Sequence, residues 1–123
     1  MNIPGLFDLQ VNGYKGIDFS SPELTEESFI GCCRDLINAG TTLFLPTIIT
    51  SSEELYKRNF RLIDKAIDKA KLSGHIPGLH AEGPFISRED GARGAHTLEW
   101  VRPSDPVLFE KMIEWSGNRI RLL

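Results

Sequence analysis

Short apolar runs alternate with amphipathic helical segments along this chain, in the order β-α-β-α-β-loop-α-β, and that alternation is what most restricts its fold. Residues Leu6 to Val11 alternate, with Phe7, Leu9 and Val11 on one face and Asp8, Gln10 and Asn12 on the other. Thr25 is a good N-cap for a first helix. Phe29, Ile30, Cys33, Leu36 and Ile37 then recur at helical spacing until Gly40. Thr42 to Leu45 predicts a second strand, stopped by Pro46. Ser51 and Glu54 make a capping-box pattern for a helix that buries Leu55, Ile63, Ile67 and Ala70 and closes at Gly74. Ile76 to Glu82 predicts a third strand. A third helix begins near Ser104, turns Leu108, Met112 and Trp115 inward and stops at Gly117, and Arg119 to Leu123 opens a fourth strand. Strands that alternate with helices build a parallel sheet. A (β/α)8 TIM barrel takes about 250 residues. This 123-residue chain therefore predicts an α/β fold in one structural unit, a partial barrel with four parallel β-α units.

The composition excludes several classes of function. The chain is 41% hydrophobic and 25% charged with a formal charge of −3, ordinary values for a soluble globular domain. No apolar run approaches the roughly 18 residues of a membrane helix. The mild acidity and the lack of a basic stripe argue against nucleic acid. Met1 leads straight into Ile-Pro-Gly and a strand, with no signal-peptide pattern. Cys32 and Cys33 are adjacent in a helical pattern, where they pack as small apolar residues and cannot easily bond to each other. These features predict a reduced, cytoplasmic compartment. Lys65, Lys69 and Lys71, interleaved with Asp64 and Asp68, read as a solvated helix face.

In a parallel β-α fold the functional groups collect at the carboxyl ends of the strands. Gln10, Asn12 and Glu82 fall there, and His80 shares a face with Glu82 by the period of two. These four side chains are expected to point into one cavity. Glu82 ends an apolar run, Gly83-Pro84 turns the backbone, and a long loop to Arg102 passes through Gly94-Ala95-His96. A carboxylate at a buried strand end needs a cation, a hydrogen-bond partner or a raised pKa. A metal or general-base site supplies such a partner, and so does a structural ion pair. His80, taken alone, reads as a satisfied core histidine or as part of a site. His96 reads as a surface loop histidine or as a group folded back over Glu82. His75 sits past a helix end and has no assigned role. Gly13-Tyr14-Lys15-Gly16 lacks the spacing of a phosphate-binding fingerprint and reads as a strand-to-helix turn. Trp115 reads as core, and Trp100 as an anchor for the long loop.

Four segments together resemble the N-acetylglucosamine-6-phosphate deacetylases of the amidohydrolase superfamily. They are Pro4-Gly5-Leu6-Phe7-Asp8-Leu9-Gln10-Val11-Asn12-Gly13, Gly40-Thr41-Thr42-Leu43-Phe44-Leu45-Pro46-Thr47, Gly78-Leu79-His80-Ala81-Glu82-Gly83-Pro84-Phe85 and Gly94-Ala95-His96. The resemblance implies a metal-dependent hydrolase on a (β/α)8 barrel, which converts N-acetylglucosamine 6-phosphate to glucosamine 6-phosphate and acetate. It makes Glu82 a metal ligand, with Gln10, Asn12 and His80 as neighbours of the metal site. Gln10-Val11-Asn12 stands where many superfamily members carry His-x-His. Amides are poor zinc ligands beside imidazole, so the resemblance implies one divalent ion, zinc or similar, and not two. It assigns His96 the polarisation of the acetamide carbonyl, a metal-activated water the attack, and an aspartate the proton transfers.

The family's two histidine ligands and its catalytic aspartate come from later strands and are not in this sequence. Nor is the small β-domain that precedes the first strand in the family. The loop at Ser87 to Arg93 is longer than in many members. The chain therefore reads as the amino-terminal half of the catalytic barrel, inactive by itself and with metal absent or weakly bound. Its open strand edges predict a homo-oligomer. The alternatives are a non-catalytic half-barrel that serves assembly or binding, or another amidohydrolase activity such as deamination, which Gln10-Val11-Asn12 weighs against.

Overall fold

Amphipathic helices and short strands bury their apolar sides only by stacking on one another, and here the helices stack on a parallel sheet. The computed structural model describes residues 4–123. The elements are β1 (Leu6–Val11), β2 (Gly13–Tyr14), β3 (Ile17–Asp18), α1 (Glu26–Asn38), β4 (Thr41–Ile49), α2 (Glu53–Lys69), β5 (Leu79–Glu82), α3 (Pro106–Trp115) and β6 (Ile120–Leu122). The main sheet has the order β1-β4-β5-β6, with every neighbouring pair parallel. This is the arrangement expected of part of a (β/α)8 barrel. The opening at Met1 to Ile3, read above as leading into a strand, lies outside the described residues.

The helix starts follow from local chemistry. Thr25 caps α1 reciprocally: the Ser28 amide donates to the Thr25 hydroxyl, and the Thr25 amide donates to the Ser28 hydroxyl, both at 3.1 Å. The α2 cap is Ser52, one residue later than the Ser51 expected. Its hydroxyl accepts from the Leu55 amide at 3.2 Å, while the Ser51 hydroxyl donates back to the Ile49 carbonyl at 2.8 Å. Likewise Asp105, not Ser104, caps α3, with Pro106 at the first helical position, where a missing N–H costs nothing.

The helix-facing side of the sheet carries Phe44, Ile48, Leu79, Ala81 and Ile120 into one core with Phe29, Phe60, Ile63 and Met112. α2 lies between α1 and α3. Burial of each large side chain contributes about 1.5–3 kcal/mol. The stripe expected of α2 missed Tyr56, Asn59 and Phe60, all buried, and over-rated Leu55 and Ala70, which are half-buried. Asn59 tolerates burial because its amide donates to the Phe19 and Ser21 carbonyls, both at 2.9 Å.

Several strand expectations are corrected. Pro46 does not stop the second strand, and β4 continues to Ile49. Pairing with β5 begins only at Thr47, so the absent N–H precedes that ladder. β1 carries a bulge, since Asp8 pairs with Phe44 and Val11 with Pro46. Phe7 and Val11 pair with Leu43 and Pro46, three apart, so they do not share a face as alternation implied. Phe7 and Leu9 are 53% and 54% exposed, whereas Val11 is buried. The third strand starts at Leu79 because Pro77-Gly78 intervenes.

Gly13 to Asp18 is not a strand-to-helix turn but a small antiparallel hairpin of β2 and β3. Lys15 and Gly16, with φ of 49° and 83°, supply the left-handed pair that such a turn needs. Asp64 and Asp68 do more than solvate a helix face. Arg119 donates to both, at 2.6 Å each, and so ties α2 to the start of β6.

Candidate functional site

Glu82 is the last residue of β5 and pairs in register with Ile49, the last of β4. Both therefore lie at the carboxyl edge of the sheet. Gly83 follows at φ 91°, and a side chain there would collide with the Thr50 hydroxyl. Glycine thus allows both the turn and the close approach. From there to Asp105 the chain forms neither helix nor strand. The loop is nevertheless tied to itself. The Arg102 amide donates to the Pro84 carbonyl at 3.0 Å, the Arg88 guanidinium to the Val101 carbonyl at 2.8 Å and the Arg93 guanidinium to the His96 carbonyl at 2.7 Å. Trp100 is half-buried within it.

The folded loop carries His96 back over the sheet edge. His96 Nε2 stands 3.5 Å from Glu82 Oε1, and the Asn12 amide donates to Glu82 Oε2 at 3.0 Å. His96 Nδ1 lies 2.9 Å from Thr50 Oγ1. Gln10, Asn12, Ile49, Glu82, Ala95 and His96 line a cleft of about 220 Å³. The end of β1, the end of β5 and the long loop thus converge on one carboxylate. The cleft combines a hydrogen-bond donor, an acceptor and two amides, the equipment for orienting a polar substrate.

His80 is not among the lining residues. It sits two positions back from the strand end, about 6.6 Å along it. The residue is 8% exposed, and its Nδ1 lies 3.4 Å from Thr47 Oγ1. Of the four side chains expected in one cavity, Gln10, Asn12 and Glu82 line the cleft and His80 lies below it. His75 donates from Nδ1 to the Thr42 carbonyl at 2.8 Å, away from the cleft. Thr50 is the residue the sequence reading missed. Its signal was available, because strand carboxyl ends collect functional groups. Ending the second strand at Leu45 put that edge in the wrong place.

No group of three His, Cys, Asp or Glu side chains able to hold a metal occurs among the described residues. A catalytic zinc site uses three protein ligands, and this cleft offers one carboxylate, one imidazole and two weakly ligating amides. The residues match part of a metal site and not the whole. Cys32 and Cys33 contribute nothing to it. They lie on the buried face of α1, and burial raises the Cys32 thiol to about 11 and pushes Cys33 higher still. Among the described residues no helix is long and apolar enough to cross a membrane.

Comparison with known proteins gives a consistent picture. No family model matches the chain. It is 40% identical over 117 residues to the N-acetylglucosamine-6-phosphate deacetylase of Rattus norvegicus, an overlap of 93% of this chain and 27% of that protein. It superimposes with a TM-score of 0.77 and 28% identity on N-acetylglucosamine-6-phosphate deacetylase from Pasteurella multocida, covering 95% of this chain and 29% of that one. A Mycobacterium smegmatis deacetylase structure in complex with N-acetyl-D-glucosamine-6-phosphate gives a TM-score of 0.81 at 24% identity, over 98% of this chain and 30% of that one. The chain spans less than a third of the length of these relatives.

Proposed function

From a chain homologous to the N-acetylglucosamine-6-phosphate deacetylases along nearly its whole length, we propose that it forms the amino-terminal half of a catalytic barrel that hydrolyses N-acetylglucosamine 6-phosphate to glucosamine 6-phosphate and acetate. The observation that carries this reading is the convergence of Asn12, Glu82 and His96 on one cleft at the carboxyl edge of the sheet. In the complete barrel Glu82 is one ligand of a divalent cation, zinc or similar, and further ligands come from outside these residues. Such a cation, when bound, supplies Lewis acidity toward the acetamide carbonyl. Asn12 holds the Glu82 carboxylate in place by its 3.0 Å hydrogen bond. Gln10 borders the cleft beside it. His96 donates from Nε2 to the acetamide oxygen and stabilises the charge that develops there. His80 supports the strand beneath. The amino-sugar phosphate is the partner molecule, and the cytoplasm is the proposed location.

A chimera tests the reading directly. This chain replaces the corresponding stretch of a curated relative, and acetate release is measured. Activity is expected in the chimera and not in the 123-residue chain alone. His96→Ala in the chimera is expected to lower kcat by about 10²–10³, the range for removing one oxyanion donor. Full activity of that variant, or robust acetate release by the chain alone, would overturn the assignment.

The open face of the sheet favours a second reading for the isolated chain, a non-catalytic assembly module. Leu6, Phe7, Leu9 and Leu43 are exposed there, and β1 and β6 are the edge strands. Unpaired edges recruit other chains. A homo-oligomer in which β6 of one copy pairs with β1 of another would cover them.

A further inference from the structure

We propose that Thr50 is a positioning residue: its hydroxyl donates to His96 Nδ1 and thereby keeps the imidazole proton on Nε2, directed into the cleft. The inference rests on the reading of His96 as a carbonyl-polarising donor, and it adds a group that fixes which nitrogen carries the proton.

The argument begins with proton counting. Thr50 follows the last residue of β4 and is 4% exposed, so its single hydroxyl proton goes to a protein acceptor. Its hydrogen-bond contacts are with two groups that can accept. His96 Nδ1 is at 2.9 Å, an ordinary hydrogen-bond length, and the Glu82 carbonyl is at 3.4 Å, beyond the usual range. The nearer one takes the proton, which leaves Nδ1 as an acceptor. A neutral imidazole carries one N–H, so the proton sits on Nε2. Nε2 is the ring nitrogen on the cleft side, 3.5 Å from Glu82 Oε1. A carbonyl-polarising histidine needs its donor on the cleft side, and this tautomer supplies it.

The backbone makes room for the arrangement. A side chain at Gly83 would collide with the Thr50 hydroxyl, and Gly83 follows Glu82 directly. The residue that turns the chain away from the carboxylate therefore also admits the hydroxyl that orients the imidazole. Thr50 in turn fastens the long loop, through His96, to the junction of β4 and α2.

Nitrogen NMR on the full 123-residue chain tests this without recourse to activity. The three histidines are labelled with ¹⁵N, and the His96 signals are assigned by their loss in His96→Gln. Spectra are recorded in alkaline buffer. The expected wild-type pattern is a protonated Nε2 and an Nδ1 resonance shifted by an accepted hydrogen bond. Thr50→Val should move Nδ1 to the position of an unbonded ring nitrogen, and Thr50→Ser should restore the wild-type shift. If Thr50→Val does not fold, Thr50→Ala against Thr50→Ser makes the same comparison. A proton on Nδ1 in the wild-type chain would overturn the proposal. So would an Nδ1 resonance that removal of the hydroxyl leaves unmoved, or a serine variant that matches the valine one. The deacetylase reading fails separately. A Thr50-bonded His96 in a chimera that releases no acetate would refute the activity and leave the positioning intact.

Discussion

The two faces of the sheet differ sharply. On the helix side, Phe44, Ile48, Leu79 and Ala81 are sealed under α1, α2 and α3, and Phe29, Phe60 and Ile63 are fully buried against them. On the other side, Leu43 is exposed, and Phe7 and Leu9 on the β1 edge are more than half exposed. The helix side is sealed along its length, whereas the other side is open at β1 and the start of β4 and buried farther on, at Leu45, Thr47 and His80. The stability of the chain resides in the sealed side. The cleft opens at the carboxyl edge where the two meet, with Gln10, Asn12 and Glu82 supplied by strand ends and His96 by the loop.

The largest expected effect separates the two faces by mutation. Phe60→Ala removes a fully buried ring and should cost about 3–5 kcal/mol of stability. Phe7→Ala, in dilute solution, should change stability by less than about 0.5 kcal/mol, as for surface positions. Urea unfolding of both variants measures the contrast, and equal losses would abolish it. Next in size is self-association. Light scattering of the wild-type chain should give a mass above the 13.8 kDa of one chain. Leu9→Lys on the open β1 edge should weaken that association about tenfold or more, since one buried leucine contributes about 1.5–3 kcal/mol. A wild-type monomer at micromolar concentration would remove the assembly reading.

The smallest effect uses Cys32 as a reporter of the sealed side. Burial raises its thiol from 9.0 to about 11, so the folded chain holds that proton more tightly than the unfolded one. Its contribution to stability is complete below pH 9.0 and declines as the pH rises toward about 11. Urea midpoints across that window should fall less steeply in Cys32→Ala than in the wild type. An unchanged slope would mean that the thiol is not sealed in solution.

Periodicity in the sequence determined the number and type of the large elements. The Thr25 cap and the parallel order of the strands follow from short-range patterns that tertiary contacts reinforce, and so does most of the α1 stripe, in which Ile30 and Ile37 are half-buried and Cys32 joins Phe29, Cys33 and Leu36 in the core. The strand end at Glu82 and the turn at Gly83 were equally legible, because glycine and proline break a strand locally. What sequence pattern misjudged depended on neighbours. Pro46 looks like a stop to a local rule, yet whether its missing N–H matters depends on where the β5 ladder begins. The β1 alternation suggests one apolar face, yet a bulge against β4 moves Phe7 away from Val11. Ser51 and Ser52 are equivalent caps on paper, and the Ile49 carbonyl takes the Ser51 hydroxyl.

The site divides in the same way. Residue types and spacing made Glu82 and His96 candidates. Only the tertiary structure brought His96 to within 3.5 Å of Glu82 and set Thr50 behind it, and only it left His80 beneath the cleft. The physical reason is range. Helix period, strand alternation and capping act over a few residues and are written in the local sequence. The separations of 14 residues between Glu82 and His96 and of 46 between Thr50 and His96 are closed by loop path and strand register, which the packing of the whole sheet decides.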